Sequence, residues 1–315
     1  MKVKVLSELV EMDFEDVLKE ISPLAIENVK SHLRNQRLRF EESNIHTITF
    51  WDDCYPELLK EIPDPPPVLF CLGDRSVLKG RKFAIVGTRK STPYGEKIAY
   101  KFAKELSREF VIVSGMAFGI DSKAHLGAME TGKTIAVLAS GVDIPSPRGN
   151  RSLYNKISKR GCVLSVYPLG EGATRYRFPE RNSLIAGLSS GVLVVQAPMK
   201  SGALITANWA LDFGRDVFAI PGDIGKYSNE GTNWLIKNGA IPVTSPSDIA
   251  IYYGLGVSES TNVESEVLEL IRGGVDTVDD LLEITGKSIG EILSEISRLE
   301  MMGIISNDAG HLRLL

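Results

Sequence analysis

Residues 83–95 read FAIVGTRKSTPYG. The apolar run from Phe83 to Val86 predicts a short strand that ends at Gly87. Thr92 and Pro93 then predict a helix start, with Thr92 as N-cap and Pro93 at the first helical position. A glycine turn between a strand and a helix N-terminus is a common phosphate cradle, because free backbone N–H groups and the helix dipole both face the anion. This turn lacks the G-x-G-x-x-G pattern of a dinucleotide site. It carries Arg89 and Lys90 instead.

Outward from that turn, strands and helices alternate from residue 82 to 244. KFAIVG, FVIVSG, TIAVLA, CVLSVY, GVLVVQA and DVFAIPG are near-continuous apolar runs, as expected of parallel strands buried on both faces. PYGEKIAYKFAKELSRE and SGALITANWALDFG are helical patterns between them. The expected fold is α/β, an extended Rossmann-like, doubly wound parallel sheet. Two more glycine turns follow strands, SGMAFGID (114–121) and KSGALITA (200–207). In a parallel sheet all three turns fall on one edge. Alone, each reads as a tight turn; together with Arg89 they read as a row of anion sites that includes Gly115, Gly119, Lys200, Ser201 and Gly202. A dinucleotide fold also needs an acidic residue closing the second strand, where this chain has Ser114-Gly115.

The net charge of −4 hides an asymmetry. Residues 80–250 hold 22 Lys and Arg against 13 Asp and Glu, whereas residues 1–79 are net −5 and residues 251–315 net −8. A basic middle between acidic ends suits a polyanionic partner. Cys54, Cys71 and Cys162 are far apart, with no zinc spacing and no disulfide framework. No apolar run approaches a membrane span, and the N-terminus has no signal-like h-region, so a cytoplasmic location is expected.

The ends read as separate modules. Residues 1–60 predict a helical helix-hairpin-helix or SAM-like module, 61–79 an extended connector through EIPDPPP, 80–256 the Rossmann-like domain, and 263–315 a winged helix. That last module has 4 basic and 11 acidic residues, so a protein-binding or packing role is expected rather than groove binding. The apolar side of its third helix, Ile289, Ile292, Leu293, Ile296 and Leu299, is expected to serve its own core.

TRYRFPERN (174–182) interleaves Arg175, Arg177 and Arg181 with Tyr176 and Phe178. Cations track a phosphate backbone and aromatic faces stack on unpaired bases. The competing reading makes Phe178-Pro179 a helix-entry staple and leaves the arginines solvated. The four histidines are scattered, and His125 reads as a packed residue rather than a base. Asp121 and Asp143 approach the same sheet edge as caps or, alternatively, as a base or metal ligand. No catalytic, metal or cofactor motif is present, and none is expected.

VGTR, SGMAFGID, FPERNSLIAGLS, VVQAPMKSGALITANWA, FAIPGD and GTNWLIKNGA, in that order, resemble the DNA-processing protein A family, also called Smf. The resemblance implies a homodimeric protein, not an enzyme, that binds single-stranded DNA and helps load a RecA-type recombinase in natural transformation. It carries the family's DNA contacts onto Arg89, Arg175, Phe178 and Asn182. Departures are Phe118 where Arg or Tyr is usual, Val166 and Gln196 where Glu is common, and Pro145-Ser146-Pro147 where Tyr-Pro is common. The alternative is a nucleotide-processing enzyme of the phosphoribohydrolase type. Its P-G-G-x-G-T-x-x-E signature is broken here, with Leu235 in the Glu position. A duplex-binding regulator is a third reading, disfavoured by the acidic third helix.

Overall fold

The computed structural model describes residues 44–255, 266–301, 304–308 and 311–314. They fall into two compact units that divide after Leu255. In the first, the described strands form one sheet of nine, ordered β1-β2-β6-β5-β4-β3-β7-β8-β9. Strands β3 (Lys82–Val86), β4 (Val111–Ser114), β5 (Thr134–Val137), β6 (Cys162–Ser165), β7 (Gly191–Val194), β8 (Asp216–Ala219) and β9 (Ile241–Pro242) run parallel. The six apolar runs expected as strands are β3 to β8.

Each strand hands over to a helix: α2 (Pro93–Leu106), α3 (Ile120–Thr131), α4 (Arg151–Arg160), α5 (Arg177–Leu188), α6 (Gly202–Asp212) and α7 (Glu230–Lys237) follow β3 to β8 in turn. A short α8 (Pro246–Tyr252) closes the unit. Helices cover both faces. Phe83 and Ile85 of β3 pack in one apolar cluster with Phe102 of α2 and Ala124 of α3. Ala84 and Val86 point to the other side and join Leu184 and Ile185 of α5. The period-two alternation of a strand thus supplies two cores from one run.

The order of the sheet fixes a switch point. From β3 the chain winds outward one way through β4, β5 and β6, then returns to β7 on the other flank of β3 and winds away through β8 and β9. The crevice between the carboxyl ends of β3 and β7 is where open α/β sheets bind ligands.

The beginning of this unit differs from the sequence reading. Residues 1–43 of the expected helical module lie outside the described residues. Beyond them, Ile45–Thr49 is strand β1, followed by a single short helix α1 (Glu57–Lys60). The expected connector 61–79 contains β2 (Val68–Gly73), which pairs antiparallel with both β1 and β6. The prolines end at Pro67, so they block only the approach to the strand. Leu69 and Cys71 are buried, and Asp74 caps a 3-10 turn at Arg75–Leu78 by accepting from the Ser76 N–H at 2.9 Å. The sheet is therefore mixed, with an antiparallel pair on one edge.

The second unit has α9 (Glu266–Arg272), α10 (Val278–Thr285), α11 (Ile289–Met301) and an antiparallel hairpin, β10 (Ile305–Asp308) with β11 (His311–Leu314). Leu268, Leu281, Ile292, Ile296, Leu299 and Leu312 are in its core. Ile289 and Leu293 are not: they are 60% and 44% exposed, so the apolar side of α11 is only partly used.

Candidate nucleic-acid interface

The turn after β3 is pinned from across the switch point. The Thr88 N–H donates to the Gln196 carbonyl at 2.7 Å, and the Thr92 N–H donates to Gln196 Oε1 at 3.0 Å. Thr92 caps α2 by accepting from the Gly95 N–H at 3.1 Å, with Pro93 first in the helix, as the sequence predicts. Gly87 cannot be larger, since a Cβ there would lie 2.5 Å from the Ile120 side chain. So held, the turn exposes Arg89 and Lys90. Neither forms an ion pair among the described residues.

The turn after β4 departs from expectation. The buried Asp121 carboxylate accepts from the Gly115 and Ala117 N–H groups at 3.2 and 3.3 Å. Those donors face inward, so this turn is not an open anion cradle. Gly115 is buried beneath Arg181, and a Cβ on it would meet the guanidinium at 2.5 Å. Gly119, at φ +76°, lets the two turns touch, its Cβ position being 2.5 Å from the Thr88 carbonyl. Both glycines build the wall rather than the contact surface. The turn after β7 is more open. Ser201 caps α6, while Lys200 and Gly202 are exposed.

The arginines of TRYRFPERN divide into three kinds. Arg175 is exposed. Arg177 is engaged, with Glu171 at 2.8 Å and the Tyr167 ring centre at 4.5 Å. Arg181 is buried at 5% exposure, donating to the carbonyls of Gly115 and Val137, the latter at 2.7 Å. Its Nε donates to Asn182 Oδ1 at 3.2 Å, and Asn182 Nδ2 donates to the Gly202 carbonyl at 3.1 Å. This chain of bonds ties the ends of β4 and β5 to the turn after β7. Burial lowers the Arg181 pKa to about 10, leaving it charged at neutral pH. Burial also raises Asp121, against the pull of the Arg181 charge. Arg181, named from the sequence as a ligand contact, is thus buried and braces these turns, while still lining the hollows described next.

Two hollows result, side by side. One is a polar cleft of about 240 Å³ at the switch point, lined by Thr88, Arg89, Lys90, Asn182, Lys200 and Ser201 among others. The other, about 90 Å³, is walled by Phe118, Pro147, Phe178 and Arg89. Arg89 belongs to both, with its guanidinium 5.0 Å from the Phe178 ring centre. A phosphate suits the first and a flat apolar ring the second. The side chain that a dinucleotide ribose would need is missing: Ser114 ends β4 and donates inward to the Ile85 carbonyl at 2.7 Å. Among the described residues no group of three or more His, Cys, Asp or Glu could hold a metal.

The model of DNA recombination-mediator protein A matches residues 46–254, which span this whole site. The chain belongs to that family. It is 44% identical to the DNA processing protein DprA of Streptococcus pneumoniae, over 70% of this chain and 76% of the relative. It is 37% identical to the Protein Smf of Escherichia coli, over 87% of this chain and 79% of the relative. The solved structure of DNA processing protein A from Streptococcus pneumoniae matches with a TM-score of 0.69 and 39% identity, covering 79% of this chain and 90% of that one. That of the Helicobacter pylori protein, described for its single-stranded DNA binding mode, matches with a TM-score of 0.62 and 30% identity, covering 67% and 96%. What sequence reasoning did not show is that Gln196 pins the turn after β3 and that Arg181, named among the contact candidates, is buried and braces the ends of β4 and β5. A signal for Arg181 existed: helical spacing sets it on one side of α5 with Leu184, Ile185 and Leu188, the buried side.

Proposed function

We propose that this chain is a single-stranded DNA-binding protein of the cytoplasm that acts in DNA processing and recombination without being an enzyme. The observation that carries the reading is Arg89, which joins a phosphate-sized polar cleft to an aromatic hollow. A single strand offers both chemistries at once, a backbone phosphate and an unstacked base. Arg89, Lys90, Asn182, Lys200, Ser201 and Gly202 take the phosphates, Phe178 stacks a base, and Arg175 stands at the rim. Gly115, Gly119 and Arg181 hold the walls. The description of the Helicobacter pylori relative supports the same ligand.

The family further supports a homodimer that protects incoming strands and loads a RecA-type recombinase. The three helices and hairpin after residue 265 are assigned to a winged helix, within the boundaries 263–315. The phosphoribohydrolase alternative needs a catalytic carboxylate free to act. Asp121, the carboxylate at the cleft, is occupied by two backbone N–H groups. Anisotropy titrations of labelled single-stranded and duplex oligonucleotides at several salt concentrations test the proposal. The single strand binds more tightly, with log affinity falling against log salt by about 0.7 per phosphate contact. Equal affinity for duplex, or release of adenine from AMP, overturns it.

A further inference from the structure

Helix α4 carries charge that neither the core nor the cleft uses. Its ten residues hold Arg151, Lys156, Lys159 and Arg160 and no carboxylate, and the 3-10 turn before it adds Arg148. All five cations are exposed, and among the described residues none is in an ion pair. The inner side of the helix is committed, with Leu153, Tyr154 and Ile157 buried against the sheet. The outer side is a shallow groove of about 520 Å³ bordered by Arg151, Ser152, Asn155, Lys156, Lys159 and Arg160. These form two rows of i, i+4 neighbours, each step rising about 6 Å along the axis. That step is comparable to the separation of successive phosphates in an extended strand.

Helix electrostatics accounts for part of this pattern only. Lys159 and Arg160 lie in the last turn, where cations complement the dipole. Arg148 and Arg151 lie at the opposite end, where the dipole disfavours them and the first turn holds no acidic residue. Lys156 and Arg160 are also like-charged i, i+4 neighbours, an arrangement that weakens a helix.

Position supplies the rest. Asn150, just before α4, donates to the Met116 carbonyl at 2.7 Å and to Ser122 Oγ at 2.9 Å. A Cβ on Gly149 would lie 2.8 Å from the Phe118 ring, so the start of the helix abuts the aromatic hollow. The cationic row begins where the hollow ends.

We infer that α4 is a second contact for the same strand: nucleotides leaving the hollow past Phe118 run along its outer side, with phosphates against Arg151, Lys156, Lys159 and Arg160. The inference rests on the single-strand reading of the cleft and lengthens the path it describes. The test uses the full chain, oligo-dT of 6 and 24 nucleotides, and the variant R151Q/K156Q/K159Q/R160Q. The 6-mer fills the cleft and hollow only, so its affinity stays within about twofold of the unaltered protein. The 24-mer weakens by about tenfold or more at low salt, and its salt slope becomes shallower by about 2 to 3. An unchanged 24-mer affinity and slope overturns the inference. So does an equal loss for both lengths, which signals a general loss of positive field. A thermal melt checks folding; if the four changes unfold the chain, K156Q/K159Q is used, with a slope change of about 1.4. Failure of the cleft reading has its own sign: Arg89→Ala then leaves 6-mer binding intact.

Discussion

The Arg89 guanidinium and the Phe178 ring are 5.0 Å apart, and the Arg181 guanidinium lies 5.8 Å from the same ring. A base entering the hollow has to share the Phe178 ring with Arg89, so charge and stacking are coupled at one point. Arg89→Ala is expected to weaken binding to every sequence and to make the salt slope shallower by about 0.7, the share of one phosphate. Phe178→Ala is expected to cost about 1–3 kcal/mol of binding and leave the slope unchanged. Phe178 is half-buried, so a melt accompanies each titration. A Phe178→Ala protein that melts early yet binds normally per folded molecule removes the stacking role.

Arg181 is expected to matter for stability first and binding second. Its guanidinium satisfies the Gly115 and Val137 carbonyls beside the buried Asp121. Arg181→Met leaves those acceptors and a buried carboxylate without their cation, at a cost of about 3–5 kcal/mol. Gly115→Ala tests the same joint from the other side, because its new methyl displaces the guanidinium. Both are expected to lower the denaturation midpoint in urea. A near-neutral Arg181→Met removes the bracing assignment.

His125 predicts the acid limb of stability. Thr134 Oγ1 donates to the Ile112 carbonyl, so His125 donates from Nδ1 to that same oxygen at 2.7 Å and its buried Nε2 has no partner among the described residues. Burial, then the Arg181 charge, lowers its pKa from 6.5 to about 3. In the unfolded chain the ring takes up a proton near pH 6.5; in the folded chain it stays neutral. Its contribution is complete above about pH 6.5 and is lost as pH falls toward 3. His125→Gln is expected to flatten the stability profile between those values, read from urea midpoints across pH. An unchanged profile places the acid sensitivity elsewhere.

The parallel core was legible because strands buried on both faces leave unbroken apolar runs, and the Thr92-Pro93 cap is a local signal. Strand β2 was hidden by the prolines before it, and β1 is a short run whose paired residues lie 19 to 27 positions away. Long-range partnerships were invisible for the same reason. Cys71 and Cys162 look unrelated in sequence, yet β2 and β6 bring their Sγ atoms to 2.9 Å. At the site, exposed cations such as Arg89 were readable from their turn. The burial of Arg181 was not legible, because an arginine in an arginine-rich loop reads as exposed, whereas its helical register turns it inward.

The second unit offers the last prediction. Residues 251–315 hold 12 acidic against 4 basic residues, so this part of the chain repels a phosphate backbone rather than gripping it. Its core is its own, formed by α9, α10, α11 and the hairpin, and the division falls after Leu255. A chain ending near Ser258 is therefore expected to fold and to keep its single-strand affinity, or to bind slightly better at low salt, where repulsion is least screened. Function lost by the cut is then one that needs a protein partner. The partner is not confined to acidic surface, since Ile289 and Leu293, one turn apart on α11, are exposed and add an apolar element. Anisotropy of a labelled strand with the full and shortened chains, each shown to melt cooperatively, decides the matter. A large loss of affinity in a shortened chain that still melts cooperatively returns the second unit to DNA binding.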